Sequence, residues 1–292
     1  MTAWRRRRRR QVAYRRMVLL LFVLTGAVVG VRALASGPGE AERAGAPSSP
    51  AVTSAPTTSK PTGSSPGAST LPSARPSSTL PAGAPPLPDC RYWDIPARQV
   101  GYGDWDRTLL DTAFTLPEGY EPPGLVPLTE AGFQSELLVR RVLVRDLQAL
   151  RKAAQAAGNP VEIIAAYRTY TQQALLFDQR VAEFGEKKAL RRAARAGHSE
   201  HQLGTAVDFK TAGARSVSVG WGSTPAGRWT ARNAHRFGFV MSYPWDKASV
   251  TCYSYEPWHF RYFGREVAAR IRQSGLTVRE FLWAQETDRS SA

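Results

Sequence analysis

The segment HSEHQLGTAVDF, residues 198–209, combines two histidines, a glutamate and an aspartate in a chain of 292 residues that has four histidines. His201 and Asp208 are seven positions apart, a spacing that would place both on one face of a helix. Gly204 and Val207 disfavour a helix interior. We therefore predict a loop that turns at Gly204 and runs into a β-strand. In that strand Asp208 faces away from the core while its apolar neighbours face towards it.

An aspartate in such a position needs a cation or hydrogen-bond donors to offset its desolvation, and a divalent metal is the strongest such partner. A third ligand is available in YEPWHF, residues 255–260, where His259 offers an imidazole. Two histidines and one carboxylate form a recurring catalytic zinc set that leaves one coordination position for water. The sequence therefore predicts a zinc site that holds His201, Asp208 and His259.

Glu256 lies three residues before His259 and has two possible roles. As a general base it would take a proton from a metal-activated water and later protonate a leaving amine. As a fourth ligand it would close the site, which would then be structural. The aromatic and glycine-rich surroundings favour a catalytic cleft, so we assign Glu256 as the base.

Hydrophobic patterns typical of helices and of strands alternate over the last two thirds of the chain. Predicted helices lie at 136–158, 171–185, 228–238, 264–275 and 277–285, and predicted strands at 161–166, 206–210, 239–244 and 252–263. Helices that flank a small, mainly antiparallel sheet define an α+β fold. No P-loop and no dinucleotide fingerprint occurs in the sequence.

The N-terminal region differs in composition from the rest. The net charge is +15, but residues 89–292 hold 27 basic and 22 acidic residues and carry only +5. The excess comes largely from nine arginines in the first 35 residues, so we expect no nucleic-acid partner for the main domain. We interpret residues 1–16 as a basic cytoplasmic arm, although binding of RNA or anionic lipid by this arm is compatible with that role.

An uncharged run, MVLLLFVLTGAVVGV, follows at residues 17–31. Arginines before an apolar run favour a single-pass membrane anchor over residues 17–35 with the remainder outside the cytoplasm. A cleaved signal segment is the alternative, because ALAS at residues 33–36 resembles a signal-peptidase site. Residues 36–88 are rich in proline, serine, threonine and alanine, which predicts a disordered tether. The folded domain is therefore predicted at residues 89–292.

The two cysteines, Cys90 and Cys252, both follow the tether. In an exported chain an even number of cysteines favours a disulfide. Free cysteines as zinc ligands are the alternative, and the lack of a C-x-x-C spacing argues against them.

Four segments together resemble the D-alanyl-D-alanine carboxypeptidases of the VanY type, which are zinc peptidases acting on peptidoglycan stem peptides. They are YRTYTQQALLF (167–177), GHSEHQLGTAVDF (197–209), NAHRFGFVMSYP (233–244) and YEPWHFRYFG (255–264). The resemblance covers roughly residues 100–285. It implies a zinc D,D-peptidase/hedgehog-like fold and the same zinc ligands and base as above.

The resemblance also implies further site residues. Arg168 is expected to bind a peptide carboxylate or the developing oxyanion. Gln173 and Ser199 are expected to line the substrate cleft. Apart from the resemblance, Tyr243 is a candidate for the cleft wall, and a tyrosine packed in the core is the alternative. His198 and His235 are not expected to be ligands. His198 would orient the loop or donate a hydrogen bond to a metal ligand, and His235 would pack in the core.

The expected function is removal of the C-terminal D-alanine of stem peptides by a monomer. An L,D-carboxypeptidase, an endopeptidase within the stem peptide and a zinc-containing binding module without turnover are the alternatives.

Overall fold

The computed structural model describes residue 80 and residues 84–290, with side chains as far as residue 285. These residues belong to one compact unit, Leu71–Ala292. The predicted basic arm (1–16) and apolar segment (17–35) lie outside the described residues, as does most of the predicted tether. Among the helices in the described ranges, none combines the length and the apolarity that a membrane span requires.

Short strands and helices alternate along the described chain. The strands are β1 (Ile95–Pro96), β2 (Phe114–Thr115), β3 (Leu125–Pro127), β4 (Leu138–Arg140), β5 (Val161–Ala165), β6 (Ala206–Thr211), β7 (Phe239–Met241) and β8 (His259–Tyr262). The α-helices are α1 (Val144–Ala156), α2 (Tyr170–Phe184), α3 (Glu186–Ala189), α4 (Pro225–Asn233), α5 (Ala248–Thr251), α6 (Gly264–Ser274) and α7 (Val278–Ser290). Helices around small, mainly antiparallel sheets match the predicted fold class.

The central sheet has four antiparallel strands in the order β5-β6-β8-β7. In its register Asp208 of β6 lies directly opposite His259 of β8, and Ala165 of β5 is the neighbour of Asp208 on the other side. Val207 and Phe209 are fully buried in the core, as the alternation along β6 predicts. Directly opposed residues share one face of a sheet, so the register brings two predicted ligands together.

Two hydrophobic clusters stabilise the domain. The first lies between the central sheet and helices α1 and α4, and its aromatic centre is formed by Phe209, Phe239 and Phe260. The second joins the region of β2 to helices α6 and α7 through residues such as Phe114 and Phe263. Two of the predicted ligands, Asp208 and His259, lie on β6 and β8, whose inward faces belong to the first cluster.

Some residues before the predicted domain boundary contact the domain. Within residues 84–88, which the composition assigns to the tether, two backbone carbonyls accept hydrogen bonds from α7. Trp283 Nε1 donates to Pro85 O at 2.9 Å, and Arg279 Nη2 donates to Pro88 O at 2.8 Å. This short segment therefore contacts the folded domain.

Two predicted elements differ most from the structure. The predicted helix at 136–158 begins only at Val144, because Leu138–Arg140 pairs with Leu125–Pro127 as an antiparallel strand. The predicted strand at 252–263 is extended only over His259–Tyr262. In both cases strand pairing, which the local pattern does not report, sets the boundary.

Candidate active site

Three predicted ligands converge at the β6–β8 pair. The ligand atoms of His201, Asp208 and His259 all lie within 4.8 Å of one another. His201 sits in a short 3-10 turn whose first backbone groups are capped by the Ser199 hydroxyl, which accepts a hydrogen bond from His201 N at 3.3 Å. Gly204 ends this turn with φ 71°, a conformation that disfavours side chains. The turn folds His201 back over Asp208, as the sequence predicts.

The hydrogen bonds of the two imidazoles show which nitrogens are available to a metal. His201 Nδ1 lies 2.7 Å from the carbonyl oxygen of Ala166, so it must donate, and its Nε2 faces Asp208 Oδ1 at 3.3 Å. His259 Nε2 lies 2.9 Å from Glu200 Oε2, and its Nδ1 faces Asp208 Oδ1 at 3.0 Å. In neutral imidazoles both inward nitrogens are acceptors, and they face a third acceptor. A cation at their centre resolves this conflict, so the donor set fits zinc.

Glu200 is the functional residue that the sequence reasoning missed. It is buried and holds His259 from behind the ligand set. Ser242 Oγ donates to its Oε2 at 2.6 Å, and the fully buried Arg261 donates to its Oε1 at 3.0 Å. The sequence indicates this role only through the presence of a second acidic residue in the ligand motif. The fold is needed to show that its partner is His259, 59 residues away.

In the absence of a metal, the pKa values of the three predicted ligands show that the site favours a bound positive charge. Burial, followed by the charge of Arg168, lowers the pKa of His201 to about 4. Burial opposes protonation of His259 as well, but the hydrogen bonds that its ring donates to the carboxylates of Asp208 and Glu200 outweigh burial and raise its pKa to about 10. The pKa of Asp208 lies well below its usual range because the two histidines outweigh its burial. The carboxylates that hold a proton on His259 would equally attract a metal cation.

Glu256 lies beside the ligand set without joining it. Its Oε2 is 4.0 Å from His259 Nδ1, and among the described residues only the three predicted ligands form a metal-binding group. Its backbone N–H donates to Tyr243 O at 3.1 Å. Burial, opposed by His259 and reinforced by the charge of Asp208, raises its pKa to about 8. A carboxyl group with a near-neutral pKa in this position is suited to proton transfer.

Arg168 is fixed at the edge of the same site. Its backbone N–H donates to His201 O at 3.2 Å, and its Nε donates to Gln173 Oε1 at 2.8 Å. Gln173 is itself buried and donates to Ala194 O at 2.7 Å. Burial lowers the pKa of Arg168, while the charge of Asp208 and then that of Glu256 oppose the shift. Its remaining donors are available to a carboxylate or an oxyanion.

A cleft of about 240 Å³ joins these groups. It is lined by Ile164, Ala165, Arg168, Gln173, Leu176, Arg180, Arg192, Ala193, Ala194, Ser199, His201, Asp208, Tyr243, Tyr253, Glu256, Trp258 and His259. The ring of Tyr243 lies 4.9 Å from that of His259 and 5.1 Å from that of Tyr253. The predicted cleft residues therefore share one cavity, although the hydroxyl of Ser199 is also engaged in capping.

The wall formed by the tyrosines is linked to the start of the domain. Cys90 and Cys252 form a disulfide with their Cα atoms 5.1 Å apart. Tyr92, two residues after Cys90, places its hydroxyl 3.2 Å from that of Tyr253. The same hydroxyl donates to Leu190 O at 3.3 Å. A covalent link and a hydrogen bond thus join residues 90–92 to the cleft wall.

The other two histidines do not join the ligand group. His198 Nδ1 lies 2.7 Å from Asp111 O and its Nε2 lies 3.2 Å from Asp94 Oδ1, so it anchors the ligand turn to the N-terminal part of the domain. His235 lies in a 3-10 turn after α4, away from the metal group. Glu200, rather than His198, contacts a ligand from behind.

The sequence is similar to a family of known proteins. The family model described as VanY, D-alanyl-D-alanine carboxypeptidase, matches residues 136–265. A D-alanyl-D-alanine carboxypeptidase of Enterococcus faecalis is 39% identical over 188 residues, which cover 61% of this chain. The chain spans 66% of the length of that relative.

Two solved structures share the fold. A vancomycin-resistance D,D-pentapeptidase VanY in complex with Zn(II) is 33% identical, with a TM-score of 0.54, and the match covers 61% of this chain and 99% of that one. The LdcB LD-carboxypeptidase is 34% identical, with a TM-score of 0.53, and the match covers 59% of this chain and 83% of that one. The chain belongs to the VanY family of D-alanyl-D-alanine carboxypeptidases.

Proposed function

We propose that the protein is a zinc-dependent carboxypeptidase that hydrolyses the C-terminal D-alanine from the D-alanyl-D-alanine end of peptidoglycan stem peptides. The observation that carries this proposal is the convergence of His201, Asp208 and His259, with Glu256 at 4.0 Å from His259 Nδ1. The solved Zn(II) complex of a VanY D,D-pentapeptidase and the Enterococcus faecalis relative support the assignment.

The inward nitrogens of His201 and His259 and the Oδ1 atom of Asp208 would hold the zinc ion. Zinc in such a set supplies Lewis-acid polarisation of a carbonyl group and makes water more acidic. Ala166 and Glu200 keep the opposite imidazole nitrogens protonated, so the lone pairs stay directed inward.

Glu256 performs the proton transfers in this proposal. A pKa of about 8 in the metal-free site means that the group is easily protonated, and a bound cation would lower that value towards neutral pH. Glu256 can therefore take a proton from the attacking water and return it to the departing amine of D-alanine. Arg168, held by Gln173, would stabilise negative charge on the substrate beside it.

The proposal is tested with the full chain, zinc and two synthetic peptides. One is a pentapeptide that ends in D-Ala-D-Ala, and the other is the tetrapeptide whose last bond joins an L- to a D-residue. We expect release of D-alanine from the pentapeptide, detected by mass, and loss of this release in the Glu256→Gln variant.

Three results would contradict the proposal. Cleavage of the tetrapeptide alone would favour the L,D-activity of the LdcB neighbour. A cut inside the stem would favour an endopeptidase. Retention of the pentapeptide without any cleavage would favour a binding module.

We also propose that the domain acts outside the cytoplasm as a monomer, tethered through residues 17–35 and the segment 36–88. The arginine-flanked apolar run supports this location, and so does the disulfide between Cys90 and Cys252, because disulfides persist in oxidising compartments. Protease added to intact cells should degrade the domain if it faces outward. Light scattering of the purified protein tests the monomer.

A further inference from the structure

Two arginines line the cleft at positions that the proposed chemistry does not use. Arg180 comes from α2, and Arg192 comes from the segment after α3. We call these two residues the arginine rim. Both line the same cavity as Arg168 and the metal ligands.

The position of the rim follows from helix geometry. Gln173, Leu176 and Arg180 are spaced by three and four residues on α2, so they lie along one face, and all three line the cleft. Seven residues of helix extend about 10 Å, which equals the length of about three residues of an extended peptide. Arg180 is therefore about 10 Å along the helix from Gln173, the residue that holds Arg168 beside the metal ligands.

The guanidinium groups of the rim make contacts within the protein that leave some of their N–H donors available. Arg192 is exposed, and its guanidinium carbon lies 4.7 Å from the centre of the Phe184 ring. No carboxylate pairs with it within the described part of the chain. Arg180 Nη1 pairs with Glu183 Oε2 at 2.7 Å, but their side chains are 42% and 51% exposed. Such exposed pairs contribute little and exchange readily, so donors remain for a ligand.

Charge is distributed unevenly along the cleft. Its acidic lining residues are Asp208 and Glu256, and both belong to the metal end. The rim end is lined by the two arginines together with small and apolar residues such as Leu176 and Ala193. A ligand that extends from the metal end to the rim therefore meets positive charge at both ends, which favours a second anionic group on the ligand.

We propose that Arg180 and Arg192 form a second carboxylate subsite, which binds a free carboxylate of the substrate peptide at a distance from the scissile bond. The inference rests on the proposed function, because it concerns the peptide that this cleft would hold. Paired guanidinium forks suit a carboxylate in particular. The candidate is a carboxylate on an upstream residue of the peptide, because the C-terminal carboxylate lies only one residue from the scissile bond.

The test measures peptide affinity separately from hydrolysis. The zinc-loaded full chain with Glu256→Gln is titrated with three uncleaved D-Ala-D-Ala peptides. One has both carboxylates free, one has the upstream carboxylate amidated, and one has the C-terminal carboxylate amidated.

The combined Arg180→Gln and Arg192→Gln variant is compared with Arg191→Gln, which removes one adjacent exposed charge outside the cleft lining. Arg180→Lys with Arg192→Lys retains the charge and reports on folding.

We expect the double glutamine variant to raise Kd about tenfold for the peptide with both carboxylates, since a charge-assisted contact is lost. The peptide with the amidated upstream carboxylate should show almost no further loss, whereas the peptide with the amidated C-terminus should keep the tenfold loss. Arg191→Gln should change Kd less than twofold, and the lysine variant should recover part of the affinity.

An equal change for all three peptides, no change for any of them, or no peptide binding at all by the Glu256→Gln chain would overturn the subsite. Hydrolysis by the wild-type chain is assayed in parallel on the same peptides. Carboxylate-dependent binding without D-alanine release would refute the proposed cut and leave the subsite standing. Release without any dependence on the rim would refute the subsite alone.

Discussion

The two sides of the cleft are held by different means. On the sheet side, Asp208 and His259 are neighbours in the β6–β8 register, and Glu200 and Arg261 are buried behind them. On the opposite side, the tyrosine wall depends on a disulfide and a hydroxyl contact to residues near position 90. Backbone pairing thus fixes the ligand atoms, while a distant cross-link fixes the shape of the cavity.

Glu256 lies where the two sides meet, and its replacement should have the largest effect. Glu256→Gln removes the proton acceptor, so we expect kcat to fall by about 10³- to 10⁴-fold in steady-state assays of D-alanine release. Zinc content should remain one ion per chain by elemental analysis. Glu266→Gln, on the exposed surface of α6, is the matched control and should retain full activity. Unchanged kcat in Glu256→Gln would remove this residue from the mechanism.

Glu200→Gln tests the sheet side. It leaves the fully buried Arg261 without its carboxylate and His259 without its anionic partner. Breaking a buried ion pair costs about 3 to 5 kcal/mol of unfolding free energy, measured by urea denaturation. Loss of a group behind a ligand should also weaken zinc binding by about 10- to 100-fold in a chelator competition. Wild-type zinc affinity in this variant would show that the sheet register alone organises the ligands.

Replacing Cys90 and Cys252 by serine tests the opposite side. The disulfide closes a loop of 162 residues, and its loss should lower the unfolding free energy by about 2 to 4 kcal/mol. Zinc affinity at low temperature should stay within about twofold of wild type, because the β6–β8 pair is untouched. A large loss of zinc affinity would mean that the two sides are not independent.

Tyr92→Phe should have the smallest effect. It removes the hydroxyl that contacts Tyr253 and Leu190 while the ring remains. One such hydrogen bond contributes about 1 kcal/mol, so we expect a small decrease in the unfolding free energy. KM for the pentapeptide should rise more than kcat falls, since Tyr253 lines the cleft and is not one of the three predicted ligands. Equal changes in kcat and zinc affinity would contradict this division.

The turn and the strand that bring His201, Asp208 and His259 together were predictable because they depend on local sequence. Gly204 and the alternation around Asp208 are sufficient to predict a turn followed by a strand, and the structure has both. His259 was recognisable as a partner because histidine is rare in this chain. Ligand identity therefore depended on residue types and short spacings.

Features that depend on distant contacts were not predictable. The role of Glu200 requires Arg261 and His259, which β8 brings to it. Leu138–Arg140 continues a helical pattern in the sequence, but its pairing with β3 makes it a strand. The contacts of residues 84–88 with α7 could not be read from a proline-rich composition. Each of these depends on long-range pairing rather than on local preference.

The cross-link at Cys90 also determines how a mechanical load would pass through the molecule. Tension applied to the chain before residue 90 reaches Cys252 directly through the sulfur–sulfur bond, because that bond joins two cysteines that are 162 positions apart in the sequence. Strands β1 to β7 lie within the bypassed stretch and would not be peeled apart one by one. A pull on the N-terminal end would therefore leave β5, β6 and β7 of the central sheet unextended.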